Sequence, residues 1–412
     1  MSYYFTTTTD KDLATKGGQQ QIIDAIYANG AGGSANPFAV RVDGVARGNS
    51  KQLLEFSYGD SDIALDVNTA GTGTATVNTN VLDLTVTSGQ FVVGQTRCKA
   101  NYVKGNPQLI ELTFQNGQTQ SNTTKEIGYY SDSIVSPFSG SVDGIRLFNN
   151  GTIWNLQLYR NNTLVLNVPA TSWLNTDAYD YENFTVFAID FLYLGGAGCR
   201  LFRHNGVSFE LMYSMEYPGN YKNTFIGSPN HGIRFALRST TGSGTFTPIC
   251  GRVSTEGEVN EGIGKTRSIN NGSTAVGFTS IGTTYAMLGI RLKQSNLNDV
   301  VKIINSVAFI TSNDQALIEL RLNPTIAGAF TYTDVTNAPV QQAIGAVANT
   351  VIGGTILPLS YAQQYLNANV VDNNILLQLG STVAGVSDQI VLCVTPLTVA
   401  ITALGGINYK KF

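Results

Sequence analysis

Charged side chains are scarce in this sequence, making up 13% of its 412 residues against roughly 25% in an average globular chain. The formal net charge is −3, and no basic tract is present that would neutralise a run of phosphates, which argues against a nucleic-acid partner. Histidine occurs only at His204 and His231, so chemistry that needs an imidazole has two places to sit. The four cysteines, Cys98, Cys199, Cys250 and Cys393, are scattered without a C-x-x-C pair. That spacing excludes a zinc knuckle and, at this length, argues against a disulfide scaffold. They are expected as buried thiols of a chain made in a reducing cytoplasm. Apolar runs such as Ile390 to Val394 and Val399 to Leu404 are far too short to span a bilayer. Met1 to Thr9 has neither the basic nor the apolar region of a secretory signal, and no membrane partner is expected. Helical periodicity is equally scant: Gln19 to Ala28, Ala338 to Ala346 and Ser360 to Leu366 are the only candidates.

What fills the chain is 42% hydrophobic residues together with 43 glycines, 19 tyrosines and 19 phenylalanines. Asn, Thr and Ser occupy the gaps. β-branched and aromatic side chains suit a pleated face, and glycine and asparagine suit the tight turns between short strands. The expected fold class is therefore all-β, with two or more antiparallel β-sandwich or jelly-roll domains. A chain of this length is also too long for one ordinary core.

Four regions can be marked out. Residues 1–50 read as a mostly irregular attachment arm with at most one short helix, since Thr6 to Thr9, Gly17-Gly18 and Gly30 to Gly33 are poor core material. Residues 51–125 read as a β-rich domain, with Lys51 to Ser57, Ala75 to Val86 and Gln108 to Phe114 alternating and Val77, Val81, Leu82, Leu84 and Val86 as core candidates. Residues 126–260 hold seven strand-like segments joined by the hairpin signals Asn149-Asn150-Gly151, Asn161-Asn162 and Asn205-Gly206, and read as a lectin-like or jelly-roll sandwich. Residues 261–412 repeat the style and read as a C-terminal sandwich.

No catalytic constellation stands out. Asp190 and Ser228 are available to a histidine, but no serine lies in a G-x-S-x-G elbow. Glu256 and Glu258 fit an acidic linker better than the fixed carboxylate pair of a glycosidase. Gly262 to Thr266 fails as a phosphate loop because Val259 stands where a glycine is required. No acidic spacing matches a calcium loop. The chain is therefore expected to be non-enzymatic, with no catalytic residues, no metal and no cofactor. Trp154, Trp173, Tyr179, Tyr181, Tyr217 and Tyr221 are candidate glycan-binding or interface aromatics, because Trp and Tyr serve as sugar platforms, as interface anchors and as core.

One string of motifs is more specific. Pro169 to Trp173 is followed by Ile189-Asp190-Phe191, the glycine-rich Gly195 to Gly198, Ser228 to Phe235, and Ile249 to Gly257. In this order they resemble a widespread group of tailed-bacteriophage virion structural proteins. Leu320 to Leu357 is similar to the domain that commonly follows in that group. The resemblance covers about residues 126 to 412. It departs from the usual pattern after Trp173, where Asp177 to Tyr181 replaces a D-G-T/S-G-P-S-G turn. It implies a virion location, self-association, most simply as a trimer, and docking onto other virion proteins, for which residues 1–50 are the natural contact. Because long fibrous repeats are absent, a capsid-associated role, decoration or head fibre, is expected. The alternative is a tail-fibre or baseplate protein that recognises a host-surface glycan.

Overall fold

The computed structural model describes residues 51–57, 67–78, 81–103, 106–116, 120–132, 142–175, 183–192, 198–215, 223–255, 264–312, 315–363, 367–369 and 377–412. The arm expected over residues 1–50, with its helical candidate, lies outside them. Among the described residues the chain is all-β, built from antiparallel sheets with two short 3-10 turns.

Fifteen strands make the first unit: β1 (Lys51–Ser57), β2 (Val67–Gly71), β3 (Thr74–Asn78), β4 (Val81–Val86), β5 (Phe91–Thr96), β6 (Gln108–Gln115), β7 (Thr123–Ser131), β8 (Asp143–Asn149), β9 (Trp154–Arg160), β10 (Thr163–Pro169), β11 (Phe184–Phe191), β12 (Cys199–His204), β13 (Phe209–Ser214), β14 (Ile233–Ser239) and β15 (Gly244–Thr255). One sheet runs β13-β12-β11-β6-β15-β4-β3, with β1 also on β15. The other runs β10-β9-β8-β7-β14-β5-β2. The boundary expected between residues 125 and 126 therefore falls inside a single sandwich. β6 is hydrogen-bonded between β11 and β15, and β14 between β7 and β5. Neither half has a sheet of its own, and both feed one core.

That core is aromatic at its centre. The Phe114 ring lies 5.3 Å from Trp154, 5.7 Å from Phe187 and 5.6 Å from Phe246, the offset and tilted geometry that ring quadrupoles favour. Ala75 to Val86 is not one strand but a hairpin of β3 and β4. Leu82, Leu84 and Val86 are buried as expected, whereas Val77 is 61% exposed on the outermost strand of its sheet. The Asn161-Asn162 turn joins β9 to β10 with both residues at positive φ (46° and 68°), the conformation a two-residue hairpin needs and asparagine tolerates.

The second unit begins at Lys265. Its first sheet orders Lys265–Asn270, Ile401–Lys411, Val301–Ile310 and Asn367–Asn369. Its second orders Thr333–Asp334, Val340–Ile344, Tyr285–Leu292, Gln389–Pro396, Gln315–Leu322 and Thr355–Gln363. A separate core lies between them. The helical candidates fail here. Residues 340–344 pair with Tyr285–Leu292, and Ser360 to Gln363 belongs to the last strand of the second sheet; residues 364–366 lie outside the described residues. Neighbouring strands satisfy those backbone groups, and this overrides a weak local preference.

The two units touch. Arg97 NH1 lies 2.5 Å from Asp388 Oδ1, Gln378 Nε2 donates to the Lys99 carbonyl at 2.9 Å, and Val383 packs on Val93 and Ala236.

Candidate functional site

Two features stand out. The first is the Thr355–Gln363 strand. Its bonds to Gln315–Leu322 lie on one side only, and among the described residues its other edge carries no partner strand. Leu359 faces Glu319 across the ladder and Tyr361 faces Leu317, while a bulge keeps Ile356 level with Arg321. Ala362 and Leu357 point into the core. The outer face thus presents Ile356 (51% exposed), Leu359 (52%) and Tyr361 (70%). No Asp, Glu, Lys, Arg or His occurs between Asp334 and Asp372. Monomeric proteins commonly blunt such an edge with charge, proline or a bulge. This strand has Pro358 and the bulge, but no charge.

The second is a buried polar cluster on the side of the seven-stranded sheet turned away from the core, where Glu126, Tyr130, Arg146 and Arg234 are all less than a tenth exposed. Glu126, Gly128 and Tyr130 alternate on β7, with Arg146 on β8 and Arg234 on β14 both in register with Gly128. The missing side chain at Gly128 lets two guanidiniums approach from opposite sides. Arg146 binds Glu126 Oε2 through NH1 (2.5 Å) and Gln157 Oε1 through Nε (3.0 Å). Its guanidinium also lies 4.9 Å from the Phe148 ring centre, 5.0 Å from Tyr159 and 5.7 Å from Tyr130. Burial pushes the Glu126 carboxyl up despite the opposing pull of Arg146, and burial likewise raises the Tyr130 hydroxyl. Phe148 and Tyr159 remain half-buried at the rim.

The residues singled out in the sequence fare unevenly. Trp154 and Trp173 are buried in the first core, at 3% and 5% exposure, and Trp173 Nε1 donates to the Val168 carbonyl at 3.1 Å. They are core residues and present no face to a sugar. Tyr179, Tyr181, Tyr217 and Tyr221 lie outside the described residues, as do Glu256 and Glu258. His204 closes the β12–β13 turn, its Nδ1 accepting from the Gly206 amide at 3.1 Å. Asp190 is held by Arg200 rather than by a histidine.

His231 instead meets Asp143, with Nε2 3.2 Å from Oδ2. Asp143 also accepts the backbone N–H groups of Asn161, Gly227 and Ser228. Burial pushes its carboxyl up, but His231 and these amides outweigh that effect and hold it below the usual range. Of the prospective Ser-His-Asp set, Ser228 contributes its backbone amide to this knot, and its hydroxyl accepts from the Asn230 amide.

Cys98, Cys199 and Cys393 are buried free thiols and Cys250 is half-buried. Among the described residues no group of three or more His, Cys, Asp or Glu is gathered to hold a metal, and no helix is long and apolar enough to cross a membrane.

The sequence missed the partners of the polar face. β7 and β5, which supply Glu126, Tyr130 and Gln95, carry charged or glycine positions that blur alternation. The uncharged stretch from residue 335 to 371 was a readable signal for the edge strand.

No protein family and no curated protein matches the chain. Among solved structures it is similar to a Bacillus licheniformis beta-glucanase, with a TM-score of 0.35 and 11% identity over 50% of this chain and 99% of that one. It is also similar to arcelin-5, a lectin-like defense protein from Phaseolus vulgaris, with a TM-score of 0.34 and 13% identity over 50% and 98% of the two chains. A third is a carbohydrate esterase from the Shiga toxin-encoding bacteriophage phi24B, with a TM-score of 0.32 and 11% identity over 51% and 100%. Likeness at this level assigns neither activity nor ligand to this chain.

Proposed function

We propose that this chain is a structural protein of a bacteriophage virion that acts by self-association and by docking onto other virion proteins, in a capsid-associated position. The observation that carries the assembly role is the uncharged edge strand Thr355–Gln363, with Ile356, Leu359 and Tyr361 on its outer face. Open backbone groups beside apolar side chains form a template for another strand. A second copy of this chain is the occupant that suits it, because the contact is charge-free on both sides and two copies meet without like-charge repulsion. The virion setting rests on the motif string from Pro169 to Gly257 and on the segment Leu320 to Leu357.

Light scattering of the full chain tests the association: a mass above one chain is expected, two chains for the strand paired with its own copy and three for the trimer that the resemblance implies. Leu359→Lys with Tyr361→Asp should reduce it to one chain without loss of β structure. A wild-type monomer at micromolar concentration overturns the proposal, as does an unchanged mass in the double variant. For the setting, antibody against residues 265–412 should decorate the shell of intact particles. Deletion of residues 1–45 should leave a folded chain that no longer enters the particle.

A second reading is a tail-fibre or baseplate protein that binds a host-surface glycan. The polar face favours it, since half-buried Phe148 and Tyr159 flank Arg146 as stacking and hydrogen-bonding groups would flank a sugar. Label confined to the tail tip, with glycan binding lost in Tyr159→Ala, would select this reading.

A further inference from the structure

Lys99 and Arg234 are buried near one another, at 6% and 3% exposure, and among the described residues neither has a carboxylate within ion-pair distance. The other charges around them are accounted for. Arg97 is paired with Asp388, and Arg146 with Glu126. Glu126 acts on Arg234 as well as on Arg146, and Asp132 lies in the same cluster beside Glu126, Tyr130 and Arg146, so two carboxylates stand against the three cations Arg146, Arg234 and Lys99. Arg234 spends NH1 on Gln95 Oε1 at 2.9 Å and leans on the Tyr130 ring, but its buried Nε has no acceptor. Lys99 reaches toward the same strand end. A Cβ placed at Gly232, two residues before Arg234, would stand 3.3 Å from its Nζ, so the glycine leaves the ammonium room.

Like charges in a desolvated place repel, and burying a surplus of one sign without a matching counter-charge is costly. Burial and the neighbouring Arg234 together pull the Lys99 ammonium down to about 8, yet at neutral pH it still carries its proton. Such a pair is stabilised by one anionic group that accepts from both.

We propose that Lys99 and Arg234 form an oxyanion-binding site that takes a carboxylate or a phosphate, beside the contact between the two units where Gln378 holds the Lys99 carbonyl. A guanidinium and an ammonium at one point match either group, the first by its directed N–H fork and the second as a point charge. The site is independent of the edge strand, so a chain made monomeric there should bind equally well.

The test is calorimetric titration of the full chain with inorganic phosphate, galacturonate and neutral galactose. Phosphate or galacturonate should bind and galactose should not; whichever of the two binds tells which source of oxyanion the site accepts. Lys99→Met and Arg234→Met should each weaken that binding by roughly tenfold or more. Lys99→Met keeps much of the side-chain volume and removes a buried unpaired charge. It should therefore melt no lower than wild type in anion-free buffer, while losing the rise in melting temperature that the anion gives wild type. No binding of either anion overturns the proposal, as does binding that survives in Lys99→Met.

Discussion

Asp143 and His231 lie 3.2 Å apart and tie the start of β8 to the segment that leads into β14. The knot extends further. The His231 amide donates to the Tyr129 hydroxyl at 3.0 Å, that hydroxyl donates to the Pro229 carbonyl at 2.7 Å, and the His231 carbonyl accepts from the Ala100 amide. In a chain with so few charges, this carboxylate acts as an anchor for backbone amides.

Asp143→Ala should therefore destabilise the first unit by about 2–3 kcal/mol, since several amides lose a charged acceptor at once. Chemical denaturation at neutral pH measures this. The wild-type contribution has a defined sign: the folded carboxyl titrates below its ordinary 3.8, so the stabilisation is complete above that value. It is lost as pH falls through the folded value. The difference between wild type and Asp143→Ala should shrink in that acid range.

Arg146→Met tests the polar face. It takes from buried Glu126 the cation directly bonded to it and leaves only the more distant Arg234, a loss of about 3 kcal/mol at neutral pH. Burial already raises Glu126 above its ordinary 4.5, and removing Arg146 raises it further. The folded state then holds a proton that the unfolded state releases, so the variant should lose stability as pH rises from 4.5 and regain it on acidification. Urea melts at pH 4.5 and pH 7 compare the two.

Lys99 gives the opposite pH signature. Its folded value of about 8 lies below the unfolded 10.5, so between these values the unfolded chain binds more protons. Stability should rise with pH across that window, with a slope of up to about 1.4 kcal/mol per pH unit. Lys99→Met should flatten this part of the profile. An identical profile in wild type and variant would show that Lys99 does not titrate there.

Gly94→Ala tests packing in the first core. A Cβ at Gly94 would stand 2.2 Å from Cε2 of Phe235, which is fully buried on the adjoining β14. The ring has little room to yield, so the substitution should cost about 1–3 kcal/mol. Pairing it with Phe235→Leu should recover part of that loss in thermal melts.

Sequence alone determined what depends on neighbours along the chain. Alternation in Gln108 to Phe114 and Trp154 to Tyr159 marked strands, and Asn161-Asn162 and Asn205-Gly206 marked their turns, because side-chain direction and turn conformation are local properties. Low charge and few histidines bounded the available chemistry in the same way. Tertiary structure decided which strands share a sheet. β5 joins β14 across more than a hundred residues, and β6 is clasped between β11 and β15, so the boundary drawn at residue 125 vanished into one sandwich. It also decided that Trp154 and Trp173 are core, that Asp143 rather than Asp190 meets a histidine, and that Lys99 and Arg234 share a buried corner. Each of these depends on long-range strand register, which hydrophobic alternation constrains by face but not by partner.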